Sequence, residues 1–188
     1  MGLDMFLDRK IYIGAMFDFN EVKGEINITR KGIKIPIDLK KVNEITEEVC
    51  YWRKANQIHN WFVENVQNGE DDCQNYYVSI EQLEELYNLC KIVIEKAILQ
   101  KGKIKWGEKV VNGKLIPIYK EGLVIINANE IKELLPTQKG FFFGGTDYDE
   151  WYLEDIKYTM EMLGKILQED KILKKENVIY HYEYRSSW

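Results

Sequence analysis

The sequence predicts an α+β fold: a mainly antiparallel sheet that pairs the N- and C-terminal strands, three helices packed on it, and an inserted β-hairpin arm. Three observations carry this. Both ends of the chain alternate apolar and polar residues. Three interior stretches repeat apolar residues at helical spacing, and Asn112-Gly113 lies between two apolar runs as a two-residue hairpin turn. The 188 residues are enough for one domain, 1–188, with the arm at 101–126 inserted in it.

The elements follow in order. Residues 3–13, LDMFLDRKIYI, read as a strand. At the other end Val178, Tyr180, Tyr182 and Tyr184 fall on one face, and Ile179, His181, Glu183 and Arg185 on the other. Pairing these two strands sets Asp4 and Asp8 near His181 and Arg185. GEINITRKGIKIPIDL holds two period-two runs joined at Arg30-Lys31-Gly32, and Pro36 places the second on an edge. From about 42 to 67 a helical wheel gathers Ile45, Val49, Tyr51, Trp52, Ala55, Ile58, Phe62, Val63 and Val66, with Asn56 and His59 inside the same half. Arg53 and Gln57 flank that arc, while Lys54 and Trp61 point away. NGEDDCQN is a loop, and Ser79 with Gln82 forms a capping box for the second helix. Lys120-Glu121-Gly122 reads as a further turn within the arm. Asp147 as cap and Glu150 as third residue open the third helix, which runs to about Asp170.

Composition excludes several classes. A net charge of −5, from 31 acidic and 26 basic residues, argues against a general nucleic-acid coat. Three cysteines without CxxC spacing point to a reducing compartment and to neither a disulfide framework nor a zinc site. The first residues lack a signal-peptide pattern, and no apolar run is long enough to span a bilayer. No Walker loop, GxGxxG, GxSxG or calcium loop occurs. The expectation is a cytoplasmic protein with no metal, no cofactor and no catalytic residue, and with self-association left open.

Candidate binding residues come from two places. Asn56 and His59 sit within an apolar arc, where an unpaired polar group costs roughly 1–3 kcal/mol; they are either satisfied core groups or ligand contacts. GFFFGG sets Phe141, Phe142 and Phe143 between glycines, and three consecutive rings of a strand cannot share one face. Gly144 and Gly145 let a ligand approach the backbone. The acids that follow suit ribose hydroxyls or an amino group better than a free phosphate.

GLDMFL, YWRKANQIHNWFV, DDC, LLPTQKGFFFGGTDYDEWY and the terminal YRSSW together resemble a family of small proteins encoded by bacteriophages and prophages. The blocks cover most of the chain, and the segment from about Lys101 to Ile126 is an addition to the pattern. The resemblance implies a viral protein in a bacterial host cytoplasm and supplies no reaction. In that setting the leading expectation is a non-catalytic protein that sequesters a small nucleotide-derived signal of host defence. Trp52, Phe142, Phe143 and Tyr148 would stack on it, Asn56, His59 and Gln138 would read its edge, and Arg53 or Arg185 would meet its anion. The alternatives are an inhibitor of a host defence protein, acting through Trp61, Trp106 and the arm, and a nucleotide-acting enzyme with His59 as base.

Overall fold

The two alternating ends of the chain do meet. In the computed structural model, which describes residues 2–14, 26–111 and 113–188, β1 (Asp4–Tyr12) pairs antiparallel with β8 (Tyr180–Ser187) along nearly its whole length. Short strands β2 (Ile28–Arg30) and β3 (Ile33–Ile35) form a separate hairpin turning at Lys31-Gly32. Gly24 and Glu25, the start of that expected run, lie outside the described residues, as does Asn112 of the arm's turn. β4 (Glu44–Arg53) pairs with the other edge of β1, and β5 (Tyr76–Val78) with the other edge of β8. The main sheet is therefore antiparallel with the order β4-β1-β8-β5.

Helices α1 (Asn56–Asn65), α2 (Ile80–Lys96) and α4 (Glu150–Lys175) supply the other half of the core. Met5 and Leu7 of β1, Cys50 and Trp52 of β4, and Tyr182 and Tyr184 of β8 meet Ile58, Phe62, Leu83, Leu86, Ile156 and Leu163 of the helices. Phe62 stacks on Tyr184 with ring centroids 3.9 Å apart. Phe6, Lys10, Glu183 and Arg185 occupy the far face of the sheet, as expected of an antiparallel sheet wetted on one side. Arg185 reaches Asp8 at 3.4 Å, whereas His181 lies opposite Lys10 and bonds Glu183; Asp4 faces Ser187 and bonds Tyr51.

Four expectations need correction. The stretch 42–67 is not one helix: its first half is strand β4, its second half α1. Within α1 Trp61, expected to point away from the apolar arc, is buried in the core against Phe62, while Tyr51 of β4, expected inside the arc, is exposed. The register of β1 against β4 slips between Leu7 and Asp8, leaving Val49 as the extra residue of a bulge. That slip moves the inward positions from Ile45, Glu47 and Val49 to Cys50 and Trp52, so the spacing imitates a helix. Second, Lys120-Glu121-Gly122 is not a turn. It lies within β7 (Lys114–Ile125), which pairs with β6 (Leu99–Val111), and a Cβ on Gly122 would sit 2.5 Å from the Ile104 side chain. Third, α4 is capped by Asp149, which accepts from the N–H groups of Trp151 (2.9 Å) and Tyr152 (3.2 Å); Asp147 precedes the cap. Fourth, a short helix α3 (Ala128–Leu134) follows the arm, so the described residues hold four α-helices where three helices were expected. The capping box of Ser79 and Gln82 is present. Among the described residues, no helix is long and apolar enough to cross a membrane.

Candidate functional site

The ring-rich segment is shaped by one side chain. Asn56, 1% exposed in the first turn of α1, donates to the carbonyls of Phe143 (3.0 Å) and Gly145 (2.7 Å) and accepts from the N–H of Gln138 (3.0 Å). These three bonds clip the loop 138–145 to α1. The loop turns instead of forming a strand: the Phe143 N–H reaches back to the Gly140 carbonyl, and a Cβ on Gly140 would lie 2.5 Å from the Phe143 ring. The three rings then part company. Phe143 enters the core, Phe142 is half-buried, and Phe141 is 94% exposed. Gly144 takes φ +92° where the loop passes the backbone of Lys54, a conformation few other residues accept.

His59 is fully buried behind this loop. Its Nε2 lies 2.9 Å from Asp71 and its Nδ1 2.7 Å from the Tyr184 hydroxyl, with the edge of Phe143 against the ring. Burial lowers its pKa more than Asp71 restores it, so the ring is neutral; Asp71 takes the Nε2 proton and Nδ1 accepts from Tyr184. Trp188 donates to the second oxygen of Asp71 at 3.0 Å. Trp52 is likewise committed to the core, its indole donating to Thr159 at 2.9 Å.

In front of the loop lies a cleft of about 870 Å³. Arg53 and Lys54 at the end of β4, and Gln57 on α1, form one side. Phe141, Phe142 and the backbone of Gly144 and Gly145 form another. The first turns of α4 contribute Asp149, Trp151, Tyr152 and Asp155, and the root of the arm closes the cleft with Lys105, Trp106 and Glu108. The arm is held there by its own bonds. Glu150 accepts from the Leu123 N–H at 2.9 Å, and the Ile125 N–H donates to the Tyr148 carbonyl at 3.0 Å. Trp106 and Trp151 stand 6.1 Å apart, with the Lys120 ammonium 3.6 Å from the first ring and 4.9 Å from the second. Lys54 holds φ +63°, an unusual setting for a residue with a side chain, at the corner where Arg53 turns outward.

Charge in the cleft is mixed. Lys105 is paired with Glu108 at 2.6 Å, whereas Arg53 keeps only a loose approach to Asp4 at 3.8 Å and is 61% exposed. Asp155 accepts from the Gln57 amide at 3.1 Å. Burial, with some help from the charges of Glu154 and Asp149, pushes its pKa up to about 6. Burial also raises the pKa of Asp149 against the two cap bonds that lower it.

The residues expected to touch a ligand therefore separate. Arg53 and Phe142 line the cleft. Trp52, Asn56, His59 and Phe143 do not: they are sealed in the core and satisfied by protein groups, and they support the cleft wall from behind. Gln138 gives its N–H to Asn56, and its side-chain oxygen is buried without a partner. Tyr148 packs on Tyr152 at 4.8 Å and faces a smaller hollow of about 280 Å³ across the arm. Arg185 lies over Phe6 on the far face of the sheet. Sequence reasoning did not place Gln57, Trp106, Trp151 and Asp155 beside Arg53 and Phe142, where the cleft gathers them. Trp151 and Asp155, one helical turn apart, were the readable signal. Among the described residues, no three His, Cys, Asp or Glu side chains gather as a metal site. No protein family, curated protein sequence or solved structure gives a match to the chain.

Proposed function

We propose that the protein binds a small nucleotide-like ligand in this cleft without transforming it. The observation that carries the reading is the convergence of exposed ring surface with Arg53 and Lys54 in one concavity of mixed charge. Trp106, Trp151 and Phe142 offer stacking faces, and Arg53 and Lys54 stand beside them. Base–aromatic stacking supplies about 1–3 kcal/mol per base, and a guanidinium meets a phosphate bidentately. The volume falls within the range of small-molecule sites. The arm also brings cations to an acidic chain: residues 99–125 hold six lysines against two glutamates, while the whole chain carries −5.

The enzyme alternative needed His59 as base, and both ring nitrogens of His59 are engaged behind the wall. The resemblance to phage-encoded proteins favours sequestration of a host signalling nucleotide in the bacterial cytoplasm as the biological role. Thermal shift with cyclic dinucleotides and ADP-ribose derivatives tests the reading. A rise in melting temperature with at least one of them supports it, and no shift at millimolar concentration from any of them removes it. Recovery of the bound compound unchanged after denaturation separates binding from turnover.

A second reading has its own observation. The arm's tip exposes Val110 (71%) and Leu115 (66%), with Ile116 and Ile118 on the opposite face. Such a two-faced apolar ribbon suits docking to a host defence protein.

A further inference from the structure

We propose that the base bound in the cleft is guanine, read by the carboxylate of Asp155. This rests on the nucleotide reading above and narrows it.

Asp155 is short of protein partners. Its side chain points into the cleft from the second turn of α4, and among the described residues it takes one hydrogen bond, from Gln57 to Oδ2. Among the described residues, no lysine, arginine or histidine forms an ion pair with it. Asp155 is half-buried, lines the cleft, and keeps one carboxylate oxygen with no protein donor among the described residues. A ligand that brings donors to this point gains hydrogen bonds to a charged group.

The five common bases differ here in a simple way. Guanine alone shows two adjacent donors, N1–H and N2–H, on its Watson–Crick edge, matching the two oxygens of a carboxylate. Adenine and cytosine place a ring-nitrogen acceptor beside their amino group, which a carboxylate repels. Uracil and thymine flank their one N–H with carbonyls. Trp151, one turn before Asp155 on the same side of α4, offers the ring surface from which such an edge reaches the carboxylate. Gln57, already donating to Oδ2 at 3.1 Å and to the Tyr152 carbonyl at 3.4 Å, holds the carboxylate in orientation.

The test is calorimetric titration of the full chain at pH 7.5 with GMP, IMP, AMP and XMP, repeated with Asp155→Asn. GMP is expected to bind at least tenfold more tightly than AMP. IMP, which lacks the N2 amino group, is expected to lose about 10–100-fold, the worth of one hydrogen bond to a charged group. Asp155→Asn presents an amide donor, so it is expected to weaken GMP and strengthen XMP, whose C2 carbonyl accepts. Loss of structure alone weakens both. GMP and AMP binding equally, with Asp155→Asn leaving their ratio unchanged, overturns the guanine assignment while the cleft reading stands; so does binding of ADP-ribose alone. If none of these four nucleotides, the cyclic dinucleotides or the ADP-ribose derivatives binds, the nucleotide reading fails and the base assignment with it.

Discussion

Asp155 titrates in the wrong direction for stability at neutral pH. Its folded pKa of about 6 lies above the unfolded value near 3.8, so the native state binds more protons between those values. The contribution of Asp155 to stability therefore falls as pH rises from about 4 to about 6, to a deficit on the order of 2–3 kcal/mol at neutral pH. His59 acts oppositely: its pKa is lowered in the folded chain, so stability is lost as pH falls through the unfolded value near 6.5. Asp155→Asn isolates the first effect. Its melting temperature is expected to exceed that of the parent at pH 7.5 and to match it at pH 4. An equal gap at both pH values contradicts the assignment. A group that stabilises when neutralised is well explained as one kept for binding. Asn56 is the converse case. Asn56→Ala leaves two carbonyls and one N–H of the loop unpartnered in the interior, and is expected to lower unfolding free energy by about 2–4 kcal/mol in urea titrations. It is also expected to weaken ligand binding, although Asn56 touches no ligand.

At the scale of elements, the arm has two parts with different duties. Its root carries Lys105 and Trp106 into the cleft, and its tip stands clear. Trp106→Ala is expected to weaken nucleotide binding about 5–100-fold, the equivalent of one stacking contact, with the melting temperature nearly unchanged. Replacing 109–116 by Asn-Gly keeps the Glu108–Pro117 pair and closes the ribbon with a short turn. Nucleotide affinity measured by calorimetry is expected to stay within about twofold. A large loss places the tip in the site. Pull-down of a host protein by the parent and not by this variant assigns the tip to the second reading.

The same scale explains what the sequence could and could not reveal. Strands β1 and β8 were legible because each keeps one phase from end to end, and α2 because its cap and stripe agree. β4 was not, since the bulge at Val49 replaces a period of two with steps of four and three between Ile45, Val49 and Trp52. α3 has seven residues and no side-chain cap, too little pattern to detect. Asn56 and His59 were legible as unusual, but periodicity reports a buried face, not what lies beyond it. Which side of the loop is open depends on contacts between Gly140, Phe143 and Lys54, all distant along the chain from the arm that completes the cleft.

For the molecule as a whole, three regions far apart in sequence converge on the cleft: the β4–α1 corner, the start of α4 and the root of the arm. The indoles report on it without any substitution in the site. Of the five tryptophans, Trp106 and Trp151 line the cleft, whereas Trp52, Trp61 and Trp188 do not. The most direct measurement is ¹⁹F NMR of the fluorotryptophan-labelled protein, titrated in turn with GMP, AMP and a cyclic dinucleotide. The account predicts saturable shifts of the Trp106 and Trp151 resonances, with the other three unmoved. Binding that shifts Trp188 or Trp61 and leaves Trp106 and Trp151 in place contradicts it.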